Sequence, residues 1–227
     1  MSRTARFIIP NTPHHIVQRG HDRKAVFVEN CDYQYYLDNL TEWKQNLGLK
    51  VYSYCLMTNH IHLIVEPRDE TSTVSELMKR LAGKQTRWVN RLEKRSGSLW
   101  EGRFKISPID RDNYLLHCCR YIELNPVKAK MVEDPEDYVW SSYAARIGKA
   151  LVPWLDDDPA YLSLSPIKIR RQTRYKAFVC SRDDSSTAMI QTAIARNQLT
   201  GSAVFVEEIE RRTGLRIETR GRGRPKK

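Results

Sequence analysis

The period of the apolar positions changes several times along the chain, and each change marks an element. Residues 14–20, HHIVQRG, alternate with β-branched side chains and read as a strand closed by Gly20, with HDRK as a turn. In CDYQYYLDNLTEWKQNLG, Tyr33, Tyr36, Leu37, Leu40, Trp43 and Leu47 recur at helical spacing before a Gly48 stop. LKVYSYCLM and HIHLIVEP are two more strands, joined through Thr58-Asn59 as a hairpin. Residues 72–95 return to the helical period, with Val74, Leu77, Met78, Leu81, Trp88, Val89 and Leu92 on one side and basic residues on the other. Ser72 or Thr73 is the expected cap, with Thr73 and Glu76 forming a capping box. SGSLWEGRFKISPID is a loop leading into a fourth strand. A helix then opens at Asp110 or Asp112 and runs to about Leu124, where Asn125-Pro126 disturbs it. This order predicts an α+β fold with a mainly antiparallel sheet flanked by helices.

A compositional break follows at GKALVPWLDDDPA, residues 148–160. It divides the chain into a first domain over 1–148, a helical, basic extension over 149–219 and a disordered tail over 220–227. Helical patterns are expected over 166–179 and 186–198, and AVFVEEIERRTG reads as half of a helix-turn-helix-like unit.

Charge adds a partner. The formal charge is +11, and it is concentrated. Residues 79–105 carry nine Lys/Arg against two acids, residues 168–176 carry five against none, and residues 211–227 carry eight against one. The rest of the chain is net negative, so the excess lies in discrete surfaces of the kind that track a phosphate backbone. Solvated helix faces and a solubilising tail account for the same runs one at a time. No run of 18 apolar residues occurs, and MSRTARFIIPNTPHH has no apolar signal-peptide core, which predicts a cytoplasmic protein with no membrane partner. Five irregularly spaced cysteines without a CxxC argue against a disulfide framework and a thiolate zinc site.

Two short stretches carry chemistry. His60 and His62 are two apart on a strand and project to one face, as a start to a divalent-metal site or as an ordinary hydrogen-bonded pair. In HCCRYIELNPVKA, Tyr121 and Asn125 share a helix face with His117 one turn earlier, while Leu115, Cys118, Cys119 and Ile122 mark the buried side. Taken alone, the second stretch is also what a surface tyrosine and an Asn that ends the helix before Pro126 would give.

Taken together the two stretches resemble the single-tyrosine branch of the HUH endonuclease superfamily, the IS200/IS605-type transposases, and within them the REP-associated tyrosine transposases. HHIVQRG, YCLMTNHIHLIVEP, LWEGRFK, RYIELNPVKAKMV and WSSY are similar to the family too, over about residues 10–147. The resemblance implies a ferredoxin-like HUH sandwich with Tyr121 as nucleophile and His60, His62 and Asn125 as ligands of Mg²⁺ or Mn²⁺. Many members have Gln at the third ligand, and Asn125 looks like the REP-associated branch. The implied activity is nicking and joining of single-stranded or hairpin DNA through a 5′-phosphotyrosine, by a monomer or a homodimer. No P-loop and no GxGxxG suggests a nucleotide cofactor. Arg80, Lys84, Arg87, Arg91, Arg103 and Lys105 are candidates for a DNA groove, with Trp100 as a base-stacking platform and Trp88 read as core. Arg222 and Arg224 in RGRGRPKK resemble an AT-hook core. Two alternatives stay open: an inactive DNA-binding protein that uses these basic surfaces, and a replication-initiation or relaxase-type enzyme.

Overall fold

Four alternating segments build one sheet. Strands β1 (His14–Arg19), β2 (Lys50–Met57), β3 (His60–Glu66) and β4 (Lys105–Pro108) pair in the order β2-β3-β1-β4, every pairing antiparallel. The structure is a computed structural model that describes residues 6–181 and 185–214. On one face Ile16, Leu63, Val65 and Ile106 pack beneath α1 (Asn30–Asn46) and α2 (Ser72–Leu92). Each such fully buried aliphatic contributes about 1.5–3 kcal/mol. On the other face Ile64 and Cys55 meet Leu115, Cys118, Cys119 and Ile122 of α3 (Arg111–Glu123). The expected α+β order, hairpin and helices are all present, and all five cysteines are free.

Some local expectations are corrected. The capping box at Thr73 and Glu76 does not form: Thr73 Oγ1 donates to the Glu70 carbonyl, and Glu76 pairs instead with Lys79 and Arg80. Arginine and lysine one turn on outcompete a backbone N–H for that carboxylate. Leu92 is 56% exposed, because the helix has ended before a partner can cover it. Leu124 interrupts α3, and α4 (Asn125–Lys128) continues for one turn with Pro126 inside it.

The break in composition near residue 148 is not a break in packing. Past α5 (Tyr143–Arg146), the chain adds α6 (Pro159–Ser163), α7 (Lys168–Cys180), α8 (Thr187–Arg196) and α9 (Ala203–Thr213). Tyr143 from before the break and Tyr161, Tyr175, Val179 and Ile190 from after it share the α3 core. Arg146 and Asp158 form a wholly buried ion pair at 2.9 Å across it. The stretch read as half of a helix-turn-helix is α9, whose Ile209, Phe205 and Val206 dock on Ile9 and Leu199. Among the described residues no helix is long and apolar enough to cross a membrane.

Candidate active site

Sheet register assembles the site. Directly opposed residues of an antiparallel pair point to one face. β1 and β3 set Arg19 opposite His60 and Val17 opposite His62, and β4 sets Lys105 opposite Val17. These side chains share the α3 face, while Ile61 and Leu63 enter the opposite core. Because α3 buries Leu115, Cys118, Cys119 and Ile122, Tyr121 is left half-buried over the sheet. One cavity of about 570 Å³ is lined by His60, His62, Tyr121 and Asn125 together with Arg19, Glu101, Arg103 and Lys105. The Tyr121 ring meets the rings of His62 and His15 edge-on, at centroid distances of 5.9 and 5.8 Å.

Hydrogen bonds decide which atoms these residues offer. Asn59 donates from Nδ2 to the Arg23 carbonyl at 3.0 Å, so its Oδ1 faces His60 Nδ1 at 2.6 Å. That oxygen can only accept, so His60 carries its proton on Nδ1 and keeps a lone pair on Nε2. Buried His15 sets its Nε2 2.9 Å from His62 Nδ1. When His62 donates there, its own Nε2 is likewise left as a lone pair. Asn125 donates from Nδ2 to the Tyr121 carbonyl at 2.8 Å and to the Ile122 carbonyl at 3.3 Å, which leaves Oδ1 to accept. Burial lowers His60 to about 4, helped by the Arg19 guanidinium. Burial also holds His62 well below its ordinary value, with His15, His60 and Arg19 adding repulsion. Both imidazoles are therefore neutral near pH 7.

Two neutral imidazole nitrogens with oriented second nitrogens, plus an amide oxygen, are a donor set that fits a divalent cation. Among the described residues no three His, Cys, Asp or Glu side chains cluster to hold a metal ion. The phenol of Tyr121 is raised above its ordinary value by burial, against which nearby Gln191 and the charge of Arg19 act. Gln191, Ile194 and Ala195 of α8 line the same cavity.

The structure brings together His60, His62, Tyr121, Asn125, Arg103 and Lys105. It does not bring the α2 cations to them. The apolar side of α2 packs on the opposite face of the sheet, so Arg80, Lys84, Arg87 and Arg91 stand away from the phenol. Arg80 and Lys84 pair with Glu76 and Glu42 and lie over the Trp43 ring, and Arg87 and Arg91 are exposed. Trp100 is a core residue rather than a stacking platform: it is 4% exposed and donates from Nε1 to the Ala82 carbonyl at 3.2 Å. A ring already buried on both sides has no face for a base. Trp88 stacks on Tyr35 and donates to Asp32, as a core reading expects. His117 turns to Phe178, edge-on at 5.2 Å. Arg222 and Arg224 lie outside the described residues. His15, Arg19, Asn59 and Gln191 were missed. The first two sit in HHIVQRG at odd positions, and pairing that strand with HIHLIVE in register would have found them.

Three comparisons bear on this geometry. A family profile described as "Transposase IS200 like" matches residues 9–125. A solved structure of a REP-associated tyrosine transposase bound to a REP hairpin is similar at 19% identity and a TM-score of 0.57, over 70% of this chain and 93% of that one. A crystal structure from Deinococcus radiodurans R1 is 17% identical over 46% of this chain and 84% of that one, with a TM-score of 0.35. A bacterial tRNA(His) guanylyltransferase-like protein in complex with GTP is 13% identical over 59% of this chain and 70% of that one, at 0.32. No curated protein matches. The profile spans more than half of the chain, including β1, β3, Tyr121 and Asn125, and so the chain belongs to the IS200-like transposase family.

Proposed function

We propose that this transposase nicks and rejoins single-stranded or hairpin DNA through a covalent bond to Tyr121. The observation that carries the reading is a single cavity in which the phenol, two neutral imidazoles, an amide oxygen and the Arg19, Arg103 and Lys105 side chains meet. Phosphodiesters resist attack because they are anionic, so a cationic pocket wall favours both binding and the charge that develops on the phosphoryl oxygens. Arg19, opposite His60 in the register, is the cation we assign to the scissile phosphate. Tyr121 Oη attacks phosphorus and forms a tyrosine–5′-phosphate ester. The bond to the 3′ oxygen breaks, the phenol loses a proton and the released 3′ oxygen gains one. The reverse attack by a 3′-OH joins ends without a high-energy cofactor, since the ester keeps the energy of the broken linkage.

His60, His62 and Asn125 would hold a Mg²⁺ or Mn²⁺ ion, which when bound supplies Lewis-acid polarisation of a non-bridging phosphoryl oxygen. Neutral Nε2 atoms on both histidines and a free Asn125 Oδ1 are what such an ion requires of the chain. His60, His62, Asn125 and Tyr121 of the same chain line one cavity, so we assign Tyr121 to act in cis. A hairpin substrate is favoured by the similar transposase bound to a REP hairpin. The test incubates full-length protein with labelled hairpin DNA and Mg²⁺ or Mn²⁺. The reading predicts a denaturation-resistant protein–DNA adduct that Tyr121→Phe abolishes. Retention of DNA by both proteins without any adduct would leave only a binding function.

A further inference from the structure

We propose that His15 is a positioning residue for His62: its buried Nε2 accepts the His62 Nδ1–H and so turns the lone pair of His62 Nε2 into the cavity. The proposal rests on the reading of His60, His62 and Asn125 as the ligands of a divalent ion.

Strand register puts His15 within reach. The odd-numbered residues of β1 face α3, and β1 sets Val17 opposite His62 and His15 opposite Ile64. His15 and His62 are thus diagonal neighbours on one face of the sheet, a separation that two rings can close. His15 Nε2 lies 2.9 Å from His62 Nδ1, and the two ring planes differ by 23° with centroids 5.2 Å apart. Rings side by side and this near to coplanar aim the N–H of one along the lone pair of the other.

His15 is also held in place. Its strand is paired on both sides, with Ile64 of β3 and Ser107 of β4 directly opposite it. Its side chain is wholly buried, and the Tyr121 ring meets it edge-on at 5.8 Å. Turning the imidazole away from His62 would displace the phenol or break a central strand. The acceptor is therefore preorganised.

The bond has two possible senses, and the cavity chooses between them. In either sense His15 Nδ1 stays buried without a partner among the described residues, so that atom favours neither. With His15 as donor, His62 would carry its proton on Nε2, on the side of the cavity that Arg19, Arg103 and Lys105 line. Those cations favour a bare lone pair there and repel an N–H. His62 is therefore the donor, and His15, kept neutral by burial, is the acceptor. Asn59 gives His60 the same orientation from the β2–β3 turn. The two histidines are thus prepared by separate partners on different strands.

The experiment has two parts, both on full-length protein without DNA at neutral pH. Proton–nitrogen correlation spectra of histidine-labelled, metal-free wild type are expected to show the His62 proton on Nδ1. Calorimetric titration with Mn²⁺ then compares wild type with His15→Phe, which keeps a ring but no acceptor, and His15→Gln, which keeps an acceptor but no ring. His15→Phe is expected to weaken Mn²⁺ binding about 10- to 100-fold, and His15→Gln to stay within about threefold of wild type. A wild-type spectrum with the His62 proton on Nε2 overturns the proposal, and it needs no variant to fold. Equal losses in both variants also overturn it, since the ring then acts only through packing, as does a His15→Phe protein that binds Mn²⁺ like wild type. A wild type that binds no Mn²⁺ overturns the reading of His62 as a ligand, and this proposal with it.

Discussion

Asn59 offers a sharp test of how the histidines are prepared. Its side chain does two things: Nδ2 donates to the Arg23 carbonyl at 3.0 Å, and Oδ1 accepts from His60 Nδ1 at 2.6 Å. The first bond fixes the amide's orientation, and the second fixes the tautomer of His60. Asn59→Ala removes both and leaves the backbone bond from the Gly20 N–H to the residue 59 carbonyl, 2.8 Å, untouched. The fold should lose little, about 0.5–1.5 kcal/mol for the lost hydrogen bonding at a half-exposed site. His60, however, becomes free to place its proton on either nitrogen and to swing its ring. Removing the partner that orients a ligating imidazole weakens metal binding by about 10- to 100-fold, which is about 1.4–2.7 kcal/mol. Asn59→Asp keeps an acceptor at the same place and adds negative charge, so it should bind the ion as tightly as wild type or tighter. Calorimetric titration of each protein with Mn²⁺ at neutral pH, without DNA, gives the dissociation constants directly. An alanine variant that binds Mn²⁺ as well as wild type, or an aspartate variant as weak as alanine, would refute the tautomer argument.

Three other contacts can be tested in the same way. Asp158→Ala strands the Arg146 guanidinium in the α3 core and should cost about 3–5 kcal/mol in a urea titration that stays a single transition, whereas a loss below about 1 kcal/mol would show the pair to be dispensable. Arg19→Ala should slow adduct formation about 10- to 100-fold on an ordinary phosphodiester but have no effect on a neutral methylphosphonate at the scissile position, and an equal loss on both substrates would remove Arg19 from the phosphate. Burial holds His14 at about 4, below the ordinary 6.5, while the Ile9 N–H bonds its Nε2. The unfolded chain therefore takes up the proton first, so stability is full above pH 6.5 and is lost as pH falls toward 4. Between pH 7 and pH 5 His14 alone should cost about 2 kcal/mol, which His14→Gln would remove from the urea-monitored pH profile.

How much of this was legible depends on distance along the chain. Alternation in HIHLIVE places His60 and His62 on one face by local stereochemistry alone, and the stripe of Leu115, Cys118, Cys119 and Ile122 leaves Tyr121 off the buried side in the same way. Periodicity says which residues of a helix stand together, but not which face of a sheet the helix covers. That is why Arg80, Lys84, Arg87 and Arg91 formed a plausible groove in sequence and lie across the sheet from the phenol in the structure. Trp100 looked like a loop residue because its loop folds back on α2 only through long-range contacts, among them the bridge from Gly20 to Trp100 and the bond to Ala82. Gln191 had no local signal at all. It reaches the cavity only because the segment after α8 adds to the edge of β4, a pairing between distant residues that no window of sequence contains. The break at 148–160 misled for a related reason: prolines and acids mark an exposed course of chain, yet Asp158 ends that course in the core, against Arg146.

The most direct measurement is the identity of the residue that carries DNA after the first nick. Digestion of the wild-type adduct and mass spectrometry of the peptides should find a single modified peptide, with a 5′-phosphonucleotide on Tyr121 and a free 3′-OH on the released strand. A nucleotide on any other residue, or a 3′-phosphate linkage, would contradict the account.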